Sequence, residues 1–276
     1  MTQAQLVAQI KKKASFLCVG LDVDTNKMPA SIRTLPDPLF EFCKRIIDAT
    51  APYAVAYKPN IAFFEAYGID GWRALEKTIS YLNTHHREIF TIADAKRGDI
   101  GNTATRYAKA FFEQLQFDAI TVAPYMGKDS VEPFLAFEQH HTILLALTSN
   151  TGASDFQYHS EGGVPLYEKV LRTAQQWNGA QDRLMYVVGA TQADALSKIR
   201  NVVPNAFLLV PGVGAQGGSL DAVAREGLTA NCGLLVNSSR GIIYASQKTG
   251  FETAAAQAAQ DLQQQMAQWL RKKNIC

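Results

Sequence analysis

The sequence predicts an α/β fold, a single-domain (β/α)8 TIM barrel spanning residues 1–276. Three observations lead there. The length of 276 residues suits a barrel of this kind, which typically needs roughly 250. Short apolar, β-branched runs alternate with stretches of helical periodicity along the whole chain. The runs are apolar on both faces, as parallel strands are when helices cover them.

The elements follow in order. Leu6, Val7 and Ile10 sit at helical spacing, so residues 1–14 are expected to form a helix capping the barrel bottom. The first 21 residues lack acids and carry Lys11, Lys12 and Lys13. They also lack arginine and an apolar core before a small-residue cleavage site, which argues against a targeting segment. The run at 16–22 then leads to a helix at 38–49, 54–58 to 69–85, 89–94 to 102–116, and 119–123 to 128–139. Likewise 142–148 leads to 164–177, 185–189 to 191–200, 207–211 to 218–227, and 233–237 to a last helix at about 252–272. In that last helix Ala255, Ala258, Ala259, Leu262, Met266, Trp269 and Leu270 fall on one core-facing stripe. Its glutamines, Gln257, Gln260, Gln263, Gln264 and Gln268, read as a solvated face. The segment 150–163, with Gly152, Gly162 and Gly163, is expected to be a mobile loop over the mouth.

Bulk properties narrow the function. A hydrophobic content of 47% supports a large core, and a net charge of +2 gives no reason to expect nucleic acid or an anionic membrane as partner. No run approaches the ~20 apolar residues that span a bilayer. The four cysteines, Cys18, Cys43, Cys232 and Cys276, show no CxxC spacing, and three lie in apolar runs or helical patterns. They read as reduced structural thiols of a cytoplasmic protein. His85, His86, His140, His141 and His159 are expected near helix ends or in loops, in solvated or capping roles.

The chemistry concentrates at predicted strand ends. Residues leaving the C-terminal end of a barrel strand point into the active site, so Asp94 and Lys96, two apart, should project from the same side. Asp99 follows on the loop. Asp22 and Asp24 end the first run, Lys58 and Asn60 the second, and Thr148-Ser149-Asn150 the fifth. Lys58, Asp94, Lys96 and Asp99 would form an alternating charge array in which each charge offsets its neighbours, holding Lys96 protonated against desolvation. After the seventh run comes Val210-Pro211-Gly212-Val213-Gly214-Ala215-Gln216-Gly217-Gly218, and after the eighth Asn237-Ser238-Ser239-Arg240-Gly241. Glycines let backbone N–H groups approach an anion, and loops after strands seven and eight are the usual phosphate site of such barrels, with Gln216 and Arg240 as donors.

The wording Asp94-Ala95-Lys96-Arg97-Gly98-Asp99-Ile100-Gly101-Asn102-Thr103, with Leu21-Asp22, Lys58 and Pro211-Gly212-Val213-Gly214-Ala215-Gln216-Gly217-Gly218, resembles the orotidine 5′-phosphate decarboxylases, in particular their longer bacterial branch. The resemblance runs from about residue 16 to 246. It implies a homodimeric barrel that converts orotidine 5′-monophosphate to UMP and CO2 with no metal and no organic cofactor. It implies a catalytic set of Lys58, Asp94 and Lys96 from one subunit, with Asp99, Ile100 and Thr103 crossing the interface from the other. Asp22 would hold the ribose hydroxyls, Ser149 the pyrimidine edge, and Gln216 and Arg240 the phosphate. The Ser149 match is the loosest, because Thr148-Ser149-Asn150-Thr151-Gly152-Ala153 departs from the shorter Ser-His-Pro-Gly-Ala of other branches. Two alternatives stand beside this one: a metal-dependent sugar-phosphate decarboxylase or aldolase of the same barrel superfamily, and a non-catalytic nucleotide-binding barrel.

Overall fold

A computed structural model describes residues 1–213 and 217–276; the side chains of residues 192–194 also lie outside the description. Among the described residues eight parallel strands close into a barrel: β1 Leu17–Leu21, β2 Ala54–Pro59, β3 Phe90–Arg97, β4 Ala119–Val122, β5 His141–Leu147, β6 Leu184–Val188, β7 Leu208–Pro211 and β8 Leu234–Ser238. Each strand pairs with its sequence neighbours and β1 pairs with β8, so no edge is left open. All eight fall on the apolar runs of the sequence. Val19, Ile92, Ile120, Leu144, Val188, Leu209 and Val236 are among the buried side chains that make this core.

Helices cover the barrel, and their ends show where local chemistry overrides periodicity. The helix Gln3–Lys13 opens with a reciprocal cap, in which Gln5 N–H donates to Thr2 Oγ1 at 3.2 Å and Thr2 N–H to Gln5 Oε1 at 2.8 Å. Lys13 Nζ donates to Ala51 O and Ala54 O at 2.8 Å each, tying that helix to the start of β2. The expected helix over 128–139 is reduced to a 3₁₀ turn, Lys128–Ser130, and a single helical turn, Glu132–Leu135. Pro133 sits in the first turn of that helix, and its missing N–H prevents a continuous helix from running through it. The helix Gly101–Lys109 runs into a wider π turn, Ala110–Gln114, in which the consecutive Phe111 and Phe112 are both buried.

Three other expectations are corrected. The segment after β5 is not a bare loop but carries a short helix, Ala153–Phe156, and an antiparallel pair, Ser160–Glu161 with Val164–Pro165. His141 is neither solvated nor a cap: it is buried at the start of β5, with Nε2 2.9 Å from Met1 O. Gln263 leaves the solvated glutamine face of the last helix, Phe251–Lys272, to donate to Lys13 O at 3.0 Å and Ala14 O at 3.2 Å. It satisfies carbonyls that the first helix leaves open at its C-terminus.

The cysteines form no disulfide; Cys18, Cys43 and Cys232 are buried and Cys276 is exposed. Burial pushes all three buried thiols up to about 12, which keeps them neutral. No helix among the described residues is long and apolar enough to cross a membrane.

At the N-terminal end of the barrel Arg200 is buried with no carboxylate partner among the described residues. Its guanidinium donates to Gly227 O at 2.7 Å, Val203 O at 3.2 Å, Ala206 O at 2.6 Å and Gly233 O at 2.7 Å, joining the segments that enter β7 and β8. Arg200→Met is expected to leave these carbonyls without donors and cost about 3–5 kcal/mol in urea unfolding. Because the bonds lie at the end of the barrel opposite the charged cluster, turnover of the folded variant should match wild type.

Candidate active site

Strand β3 does not run as a regular pleat. Ala93 pairs with Ile120 and Arg97 with Val122, so Asp94, Ala95 and Lys96 together oppose the single residue Thr121. This bulge lies at the C-terminal end of the barrel, where extra residues re-aim side chains toward the mouth. Lys96 carries the strain, with φ at +47°, a left-handed conformation that non-glycine residues rarely adopt. Asp94 and Lys96 do meet, but through the bulge rather than through simple two-residue alternation.

Asp94 is the centre of the cluster. Its Oδ2 accepts from Lys58 Nζ at 2.5 Å and its Oδ1 from Lys96 Nζ at 2.5 Å. The Lys58 and Asp94 side chains are 6% and 11% exposed, whereas Lys96 is 52% exposed. Desolvation therefore falls on Lys58, not on Lys96 as the sequence suggested. Burial alone would raise the Asp94 carboxyl, but the charges of Lys58 and Lys96 outweigh it and hold it well below the carboxylate range. Burial would lower Lys58, but Asp94 and Asp22 outweigh it and leave the ammonium above its ordinary value.

Beside the cluster lies a cavity of about 630 Å³ lined by Lys58, Asp94, Lys96, Ser149, Thr151 and Pro211, with Leu145, Val187 and Leu209 as apolar wall. Ser149 is seated against Gly189, where a Cβ would come within 2.7 Å of Ser149 N and Oγ. Only glycine admits that approach. Thr148 is clamped by Gln157, which accepts from its N–H and donates to its hydroxyl, each at 2.8 Å.

The other candidates among the described residues do not line this cavity. Asp99 forms no ion pair among the described residues; its Oδ1 accepts from Ile100 N at 2.8 Å, so the fourth charge of the expected array does not join the cluster within this chain. Ile100 is 47% exposed and Thr103 is exposed. Asp22 Oδ1 is buried with no hydrogen-bond partner among the described residues. The backbone around it is fixed by Tyr244, whose hydroxyl donates to Asp22 O at 2.9 Å and accepts from Asp24 N–H at 2.7 Å. Arg240 is exposed at the start of a short helix, Arg240–Ile243, following β8. The glycine-rich loop closes on itself through Gly218 N to Gly212 O at 3.1 Å, and Gln216 lies outside the described residues.

Thr121, Gln157 and Tyr244 escaped the sequence reading. Thr121 sits in the middle of an apolar run, where threonine is an ordinary strand former and gives no functional signal. Gln157 and Tyr244 act from distant or irregular segments.

Residues 15–256 match the family model described as the orotidine 5′-phosphate decarboxylase / HUMPS family. The chain is 61% identical to an orotidine 5′-phosphate decarboxylase of Christiangramia forsetii over 99% of this chain and 100% of the relative. It is 60% identical to that of Flavobacterium johnsoniae, over 99% and 100%. Among solved structures, OMP decarboxylase of Leishmania donovani superposes with a TM-score of 0.83 at 38% identity, covering 98% of each chain.

Asp94→Asn leaves Lys58 buried without a carboxylate and is expected to cost about 3–5 kcal/mol near neutral pH. The folded-state carboxyl of Asp94 lies below its reference value of 3.8, so its stabilisation is full above that pH and is lost as the pH falls through the depressed value. In urea titrations the gap between wild type and Asp94→Asn should therefore narrow only below 3.8. A gap that closes at higher pH would contradict the pairing.

Proposed function

The chain belongs to the orotidine 5′-phosphate decarboxylase / HUMPS family, and from that premise we propose that it converts orotidine 5′-monophosphate to UMP and CO2, completing UMP biosynthesis, with no metal or organic cofactor. The observation that carries this reading is the cluster of Lys58, Asp94 and Lys96 on one wall of the cavity. Loss of CO2 from C6 of the pyrimidine leaves a carbanion in the ring plane, which the ring carbonyls cannot delocalise. A cation beside C6 is required. Lys96, the exposed member of the cluster, stabilises that charge and then delivers the proton that replaces the carboxylate. Asp94 holds the Lys96 ammonium in place and sets a negative charge beside the substrate carboxylate. Lys58 fixes the other oxygen of Asp94, so that the carboxylate neither rotates nor takes up a proton.

For the rest of the substrate, the unpartnered Asp22 Oδ1 is suited to accept from ribose hydroxyls, and Ser149 to meet the pyrimidine edge. Arg240 and Gln216, with the backbone donors of the glycine-rich loop, would take the phosphate. Binding energy from that distant group would close the site and exclude water. We propose that residues 1–276 act as one domain in a cytoplasmic homodimer, in which Asp99, Ile100 and Thr103 reach the partner's site. The exposure of Ile100 and the absence of Asp99 from its own cluster support that arrangement.

The sugar-phosphate alternative needs a divalent cation at the same carboxylates. Both Asp94 oxygens are already held by ammonium groups, so a cation would have to displace one of them. Two assays separate the readings. In EDTA, wild type should consume orotidine 5′-monophosphate and Lys96→Ala should fall by at least about 100-fold; turnover that appears only on adding Mg²⁺ would favour the sugar-phosphate reading. Mixed Lys96→Ala and Asp99→Ala subunits should recover about a quarter of wild-type activity by re-forming one complete site per mixed dimer. No recovery would refute the shared site.

A further inference from the structure

Thr121 is 1% exposed and is the one residue of β4 facing the three-residue bulge of β3. A regular parallel ladder would supply Lys96 N–H with a backbone carbonyl; here Thr121 Oγ1 accepts it at 2.9 Å. The same hydroxyl lies 3.2 Å from Asp94 Oδ1 and donates to it. Its single proton goes to the carboxylate, which when ionised can only accept, while one of its two lone pairs takes the backbone amide. One buried hydroxyl thus satisfies the backbone of the strained lysine and orients the oxygen that holds that lysine's ammonium.

Resting on the decarboxylase reading, we infer that Thr121 is a positioning residue, whose hydroxyl fixes both the Asp94 carboxylate and the Lys96 backbone in their working geometry. Thr121 acts through these residues and need not touch substrate. Without the hydroxyl, a buried amide and one carboxylate lone pair lose their partner, and the bulge is free to relax toward a less strained φ at Lys96. A shift of about 1 Å in a reacting group is enough to cost up to about 100-fold in rate.

The test compares Thr121→Val, which keeps the shape and removes the hydroxyl, with Thr121→Ser, which keeps the hydroxyl. The valine variant should lose about 10- to 100-fold in kcat with KM within about threefold, and the serine variant should stay within about threefold of wild type in both. Should the valine variant fail to fold, Thr121→Ala set against Thr121→Ser reads the same split. A second readout is independent of turnover: Lys96, freed from a well-placed Asp94, should undergo reductive methylation faster in the valine variant than in wild type or the serine variant, as followed by mass spectrometry. Equal kcat and equal labelling in valine and wild-type proteins would overturn the inference, as would equal losses in the valine and serine variants, which would mean packing rather than the hydroxyl. If wild type did not turn over orotidine 5′-monophosphate yet labelling rose only in the valine variant, the reaction would be wrong and the positioning role upheld.

Discussion

The constraint on which the rest of the site depends is the double pairing of Asp94. A carboxylate that is 11% exposed at the end of a barrel strand could lower its desolvation cost by taking up a proton. Two ammonium groups, one on each oxygen, remove that option. Removing Lys58 or Asp94 from their buried pair leaves an uncompensated charge, so these two are kept or lost together. Lys58 is the buried anchor, and Lys96 is the member left facing solvent and cavity. This division lets one lysine fix the carboxylate while the other stays accessible to a ligand.

The backbone is built to serve that pairing. The bulge of β3 puts three residues against Thr121, and the left-handed φ of Lys96 is held by the barrel on both sides. Strain of this kind costs on the order of 1–3 kcal/mol and persists only where surrounding structure over-determines it. The stabilising counterpart lies elsewhere: the closed ladder, the apolar core, and at the far end the four carbonyls held by Arg200. Stability is concentrated in the barrel and its bottom, and local irregularity at its mouth.

Much of this was legible in the sequence, for reasons that differ by element. The eight strands could be read because a parallel strand covered on both sides must be apolar on both sides, a signal local to each run. Lys58, Asp94 and Lys96 could be read because charges at the ends of such runs are costly unless paired. The geometry joining them could not, since a bulge is a property of two strands and Thr121 lies 27 residues from Asp94. The same limit explains His141 and Gln263, whose partners are Met1 and the end of the first helix. Pro133, by contrast, was a visible local signal that helical periodicity over 128–139 outweighed. Which lysine would be desolvated also depended on tertiary burial, and the structure assigns that cost to Lys58.

The most direct test of the central pairing is a carboxyl ¹³C NMR titration, with the Asp94 resonance identified by its loss in Asp94→Asn. The account predicts that this carboxylate stays ionised as the pH falls through 3.8, titrating only at lower pH or with acid unfolding. Titration at or above 3.8 in the folded protein would mean that the two lysines do not hold Asp94, and the account of the site would fail with it.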